Sequence, residues 1–106
     1  MANKYNYVEF KKSVEDNLKK RRTSSADSIE NLMLDSAVEH FIEYCYTNFD
    51  NYDPERCAVG IIAKLDSQRN PEKYKDHNMN SAFEVHMVAK YIMHAEQKKC
   101  MKELKE

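Results

Sequence analysis

The longest stretch of helical hydrophobic periodicity runs from Ser25 to Phe49. Placed on a helix at about 100° per residue, its apolar side chains cover more than half of the circumference. Because a helix that is apolar on so much of its surface must be nearly surrounded by protein, we predict that this segment is the central element. Its apolar set is Ile29, Met33, Leu34, Ala37, Val38, Phe41, Ile42, Tyr44, Cys45 and Phe49.

Three further stretches carry helical periodicity with capping signals at their starts. Asn6 is followed three residues later by Glu9, which is the spacing of a capping box. Ser81 and Glu84 have the same spacing. Asp53 followed by Pro54 supplies a cap and a proline at the first helical position. We therefore predict an all-α fold, a single compact domain over residues 1–106 with four helices near 6–21, 25–48, 54–67 and 81–102.

Residues 68–80 form the one long connection of the predicted fold. They lack helical periodicity and contain Pro71, so we expect an irregular loop. The last helix carries a second wide apolar face, and we expect it to pack mainly against the central helix. Its polar line, which we expect to face outward, is His86, Lys90, His94 and Gln97.

The single glycine excludes several classes of site. Phosphate-binding loops, nucleophile elbows and dinucleotide fingerprints each need at least two glycines at fixed spacing. No apolar run approaches the roughly 18 residues of a membrane span, and the N-terminal residues lack the continuous apolar core of a signal peptide. We expect a cytoplasmic protein with no membrane partner.

The three cysteines, Cys45, Cys57 and Cys100, are an odd number without paired spacing. We interpret them as small buried side chains that stay reduced. Glu-x-x-His, Cys-x-x-Cys and His-Glu-x-x-His do not occur, so we expect no metal site and no cofactor. A zinc site built from the cysteines and a histidine is the alternative.

No constellation of residues indicates an enzyme. One helical family of ribonucleases places a histidine shortly after an arginine, and the gap between Arg69 and His77 is too long for that pattern. Glu39 and Glu43 have the spacing of an acid pair, but carboxylates four residues apart on a helix are ordinarily a solvated face. We predict no catalytic residues.

The distribution of charge is more informative than the net charge of −1. Residues 1–22 carry a net charge of +4, residues 23–57 carry −7 and residues 58–106 carry +2. On the central helix Asp35, Glu39 and Glu43 follow each other at intervals of four residues. We call these three residues the acidic seam and predict that they form its exposed line.

The acidic seam, with aromatic and apolar residues beside it, predicts a protein-interaction surface. Aromatic anchors among carboxylates suit a partner protein with a basic surface, which could itself bind nucleic acid. Small helical phage proteins that inhibit host defence nucleases are similar in style, and this resemblance implies an inhibitor or regulator. We also expect a homodimer to be possible. The predicted partner-binding residues are Leu32, Asp35, Glu39, Glu43, Tyr46, Asp50 and Tyr52.

A nucleic-acid-binding accessory protein is the alternative function. The turn before the third helix is longer than that of a helix-turn-helix motif. The pI near 6.4 also disfavours nucleic-acid binding. The basic run that would contact nucleic acid comprises Lys11, Lys12, Lys19, Lys20, Arg21 and Arg22.

Overall fold

The computed structural model describes residues 5–21, 26–50 and 52–105, and of these the side chains of 26–28 and 100–105 are not described. Within these ranges the chain is compact and all-α, without β-strands, as the sequence predicts. None of the described helices is both long and apolar enough to cross a bilayer. The elements are α1 (Tyr7–Arg21), α2 (Ala26–Met33), α3 (Ser36–Asn48), α4 (Pro54–Arg69), a 3₁₀ helix (Pro71–Tyr74) and α5 (Ala82–Lys105).

Local hydrogen bonds confirm the predicted starts of α1 and α4. At α1 the Glu9 backbone N–H donates to Oδ1 of Asn6 over 2.9 Å, and the Asn6 N–H donates to Oε1 of Glu9 over 3.3 Å. This reciprocal pair is a complete capping box. At α4 the Glu55 N–H donates to Oδ1 of Asp53 over 2.9 Å, and Pro54 occupies the first helical position, where a missing N–H costs nothing.

The prediction of one continuous helix near 25–48 is wrong, because the helix is interrupted at Leu34 and Asp35. Asp35 adopts an extended backbone (φ −68°, ψ 126°) and is the N-cap of α3. Its Oδ1 accepts hydrogen bonds from the backbone N–H groups of Ala37, at 2.8 Å, and Val38, at 3.4 Å. Aspartate competes with helical backbone hydrogen bonding in this way, and here the cap prevails over the apolar periodicity.

The break changes which side of the segment is buried. Ile29 and Met33 of α2, and Phe41 of α3, remain in the core. Leu34, at the break itself, points away from that core and is 81% exposed, although the periodicity had included it in the buried face.

The element that the other helices surround is α4. It packs most extensively against α5 and α1, and also against α3 and the 3₁₀ helix. The expectations that the 25–48 segment is central and that the last helix packs mainly against it are therefore wrong. Small side chains dominate the buried surface of α4 and let its neighbours approach closely. The buried residues are Pro54, Cys57, Ala58, Val59, Gly60, Ile61 and Ala63.

Gly60 is a point where both α3 and α5 come close to α4. A Cβ atom at this position would lie 3.0 Å from Cζ of Phe41 in α3 and 3.3 Å from Cγ1 of Val85 in α5. The hydrogen of glycine therefore makes room for an aromatic ring and a valine. Glycine lowers the helix propensity here by roughly 1 kcal/mol relative to alanine, and the close packing compensates for this cost.

One carboxylate holds part of the segment after α4. Within residues 68–80, expected as an irregular loop, Pro71–Tyr74 form a 3₁₀ helix, whereas residues 75–80 have no regular structure. Asp66 accepts hydrogen bonds from the Tyr74 hydroxyl (2.8 Å), Lys73 Nζ (3.0 Å) and Asn70 Nδ2 (2.8 Å). These bonds, the one from Tyr74 foremost, lower the pKa of Asp66 to about 2. They tie the 3₁₀ helix to the end of α4 and hold the Tyr74 ring in a small cluster with Ala63 and Val88.

We expect Gly60→Ala to lower the free energy of unfolding by up to about 2 kcal/mol. Overpacking costs about 1–3 kcal/mol, and the better helix propensity of alanine returns only about 1 kcal/mol. Urea unfolding of Gly60→Ala, Phe41→Leu and the double variant measures this. In the Phe41→Leu background the Cβ clash is relieved, so Gly60→Ala should become neutral or stabilising. Equal effects in both backgrounds would contradict the close-approach role.

Candidate functional site

The acidic seam does not lie on one helix. Asp35 is the cap of α3, and Glu39 is half-buried with its Oε1 3.8 Å from Nζ of Lys11 in α1. Of the three, only Glu43 is both within the helix and exposed. Two of the three carboxylates therefore have a structural role that the sequence pattern did not reveal.

Tyr7 shows that Glu39 and Glu43 share one side of α3, the side next to α1. Its hydroxyl is buried and has no hydrogen-bond partner among the described residues. Burial raises the pKa of Tyr7, and the nearby charges of Glu43 and Glu39 raise it further. The two carboxylates are therefore close enough to act on the same phenol, at an edge where α1 and α3 meet.

Two of the predicted flanking residues make contacts within the fold, and one of them, Tyr46, joins α3 to the start of α1. The Tyr46 hydroxyl donates to the backbone carbonyl of Tyr5 over 3.0 Å. The Tyr46 ring lies 5.4 Å from the ring centroids of both Tyr7 and Phe10. Leu32 is half-buried and packs against the main core. Both side chains are therefore largely engaged within the fold.

Tyr52 is buried, with 4% of its surface exposed, so its prediction as a surface contact is wrong. Its hydroxyl lies 2.6 Å from Nδ1 of His86 and shares a hydrogen bond with it. His86 is only 7% exposed, so its expected place on an outward polar line is also wrong. Phe49 stacks on the imidazole with ring centroids 4.3 Å apart. The hydroxyl and imidazole satisfy each other, which allows both to be buried.

Burial controls the charge of this pair. It raises the pKa of the Tyr52 phenol and lowers the pKa of the His86 imidazole. The positive charges of Arg56 in α4 and Lys90 in α5 lower the His86 pKa further. In the folded chain His86 therefore stays neutral to a lower pH than an ordinary histidine does.

Apart from the cap Asp35, three acids between residues 30 and 50 are exposed and form no ion pair within the described part of the chain. They are Glu30 in α2, Glu43 in α3 and Asp50 after α3. Together with Leu34 they make up what we call the acidic segment. Sequence reasoning missed Leu34, although Asp35 and Ser36 directly after it are a readable cap signal.

The basic run of α1 is divided between ion pairs and solvent. Lys11 and Lys19 pair with carboxylates of the chain itself, and Lys12 and Lys20 are exposed. Arg22 lies outside the described residues. Pairing within the fold leaves fewer cations for phosphate contacts, which weakens the nucleic-acid alternative.

Arg21 joins α1 to the two helices that follow α3. Its Nη2 lies 2.7 Å from Oε1 of Glu55 in α4, and its Nη1 lies 3.0 Å from Oε2 of Glu96 in α5. The hydrogen bond to Glu96 is the main cause of its raised pKa. This bridge stands at one end of a cleft between α4 and α5.

The cleft has a volume of about 570 Å³ and lies between α4, the 3₁₀ helix and α5, with the end of α1 at its edge. Arg21 and Glu96 mark one end, near the start of α4, and Arg69, Lys73 and His77 mark the other. The sequence offered no signal for it, because it depends on how α4 and α5 pack. Its apolar lining comprises Val59, Ile62, Ala63, Leu65, Val88, Tyr91 and Ile92, together with the ring of Tyr74.

Two of the three cysteines lie within the core. Cys45 and Cys57 are free and buried, as expected from the sequence, and the Cys100 side chain is outside the described residues. Burial raises the pKa of the Cys57 thiol, and contact with Cys45 raises it further. A protonated buried thiol is a poor nucleophile. Among the described residues no group of three or more His, Cys, Asp or Glu side chains could hold a metal ion.

Comparison of the chain with protein families, curated proteins and solved structures finds no match. A function is therefore inferred from its own residues.

Asp35 offers a test that separates a capping role from a charge role. We expect Asp35→Ala to lower the free energy of unfolding by about 1 kcal/mol, because α3 loses the acceptor for two backbone N–H groups. Asp35→Asn keeps an acceptor and removes the charge, so its effect should be a few tenths of a kcal/mol. Chemical denaturation of both variants measures the difference, and equal losses would contradict the capping role.

We expect the stability of the fold to decrease as the pH falls below about 6.5, the ordinary pKa of histidine. Below that value the unfolded chain takes up a proton at His86, whereas the folded chain, in which the His86 pKa is lowered, does not. The loss continues until the pH reaches the folded pKa, at no more than about 1.4 kcal/mol per pH unit.

Urea unfolding between pH 7.5 and 5 measures this effect. His86→Gln should flatten the pH dependence, and His94→Gln, a change at an exposed histidine of the same helix, should leave it in place. If the pH dependence persists in His86→Gln, a group other than His86 causes it.

Proposed function

We propose that this chain is a small non-enzymatic interaction protein that binds a partner with a basic surface through its acidic segment. The observation that carries the proposal is the exposure of Glu30, Glu43 and Asp50 without ion pairs among the described residues. The other acids of this part of the chain have roles in the fold, as caps or in ion pairs with α1.

Glu43 is the carboxylate for which the fold supplies the least compensation. It lies four residues after Glu39 on α3, and like charges at this spacing cost a helix a few tenths of a kcal/mol. Lys11 offsets the charge of Glu39, whereas Glu43 adds to the negative potential beside the Tyr7 hydroxyl. A cation supplied by a partner would remove this cost.

Leu34 supplies the apolar part of the proposed surface. It is exposed at the break between α2 and α3, and Asp35 next to it lines a shallow pocket of about 70 Å³ between α3 and α4. Apolar groups at the centre of an interface carry much of its binding energy, and charged groups around them set specificity and the rate of association. The pocket lining includes Val38, Phe41, Ile61 and Leu65.

A partner that normally binds nucleic acid fits this chemistry. Carboxylates presented on a small helical body would occupy cations that otherwise contact phosphates. The chain would then act as an inhibitor or regulator, in the style of small helical phage proteins that inhibit host defence nucleases. A second copy of the chain is another possible partner, since Lys90 and His94 of α5 are exposed.

Charge reversal of the acidic segment tests the proposal. The triple variant Glu30→Lys, Glu43→Lys and Asp50→Lys should lose a partner that the native chain captures from its host proteins, because attraction becomes repulsion. Capture is measured by quantitative mass spectrometry at several salt concentrations. The matched control reverses three exposed acids elsewhere, Asp16, Glu72 and Asp76, with the same change of net charge.

Leu34→Ala is the second arm of this experiment. The side chain is exposed, so the fold should be unaffected, and binding should weaken by about 1–2 kcal/mol if Leu34 is an anchor. Capture that is equal for the native chain, the triple variant and the control would show that the acidic segment is only a solvated surface. Light scattering of the native chain tells a homodimer from a complex with another protein.

A further inference from the structure

The cleft between α4 and α5 has the dimensions and lining of a small-molecule site. Its volume of about 570 Å³ falls within the roughly 300–1,000 Å³ of known ligand pockets. Its floor is apolar and rests on Ala63 and Val88, which belong to a buried cluster. Tyr91, 58% exposed, places an aromatic ring in the lining. An apolar body bound here would replace water on these side chains.

The charges around the cleft are divided unequally between its two ends. At the end near the start of α4, Arg21 lies between Glu55 and Glu96, so two carboxylates surround one cation. At the other end Lys73 is balanced by Asp66. The Arg69 guanidinium there forms no ion pair among the described residues.

His77 lines the cleft at the Arg69 end, and its Nδ1 lies 3.7 Å from Oε1 of Glu84, too far for a hydrogen bond. Among the charged side chains that line the cleft, the Arg69 end has one more cation than it has acids, whereas cations and acids are equal in number at the opposite end. A bound molecule with one charged group would be oriented by this difference.

We propose that the cleft binds a small amphipathic anion, with its apolar body on the floor between α4 and α5 and its anionic head at Arg69. A carboxylate head fits the planar guanidinium, which can donate two hydrogen bonds to it. An inorganic anion would leave the apolar floor in contact with water, and an organic cation would find the Glu96 carboxylate at the opposite end already paired with Arg21. This inference does not depend on the acidic segment, which other residues form.

Methyl NMR of the native chain tests the proposal with octanoate as the probe. Saturable shifts are expected at the methyl groups of Val59, Val88 and Ile92 and not at those of Leu34, which is outside the cleft. Octanol and octyltrimethylammonium have the same alkyl chain without the negative charge. Octanoate should bind about tenfold more tightly than either, because only octanoate gains a charge-assisted hydrogen bond.

Arg69→Gln provides the decisive variant. The side chain is exposed, so its replacement leaves the packing intact, and octanoate binding should weaken about tenfold while octanol binding is unchanged. Lys12→Gln, which removes an equal charge from an exposed position of α1, should change neither. The proposal is overturned if no saturable shift occurs, if the shifts lie outside the cleft, or if Arg69→Gln binds octanoate as tightly as the native chain.

Discussion

The close approach of α3 and α5 to α4 at Gly60 is the contact on which the rest of the structure depends. A hydrogen in place of a Cβ atom admits the Phe41 ring and the Val85 side chain to one point on α4. Small neighbours on the same helix, such as Ala58 and Ala63, extend the contact along its length. In a chain with so few large aliphatic residues, close packing around small ones provides the buried area that a core requires.

This arrangement places polar groups where they must satisfy one another. The Tyr52 hydroxyl meets the His86 imidazole inside the core, and Asp66 gathers three donors at the end of α4. Arg21 joins three helices through two carboxylates. Each of these groups has its partner within the chain, so none of them is freely available to a ligand without a rearrangement of the fold.

Charged side chains that take no part in these contacts define the two surfaces that we propose for binding. Glu43 and the other acids of the acidic segment are exposed on α2, α3 and the turn that follows. Arg69 stands at one end of the cleft that α4, the 3₁₀ helix and α5 form. No residue of the acidic segment lines the cleft, so a variant of one leaves the chemistry of the other unchanged.

What the sequence by itself determined is the helical fold class and the points where most helices begin. The caps at Asn6 and Asp53 are hydrogen bonds between residues two or three positions apart, so the local sequence contains all of their atoms. Asp35 belongs to the same class, although the apolar periodicity around it favours a continuous helix. Only the tertiary structure decided that Tyr52 and His86 are buried, because these two hydrogen-bond partners are 34 residues apart in the sequence. The cleft also depends on the tertiary structure, because its walls come from elements that meet only when α5 packs against α4.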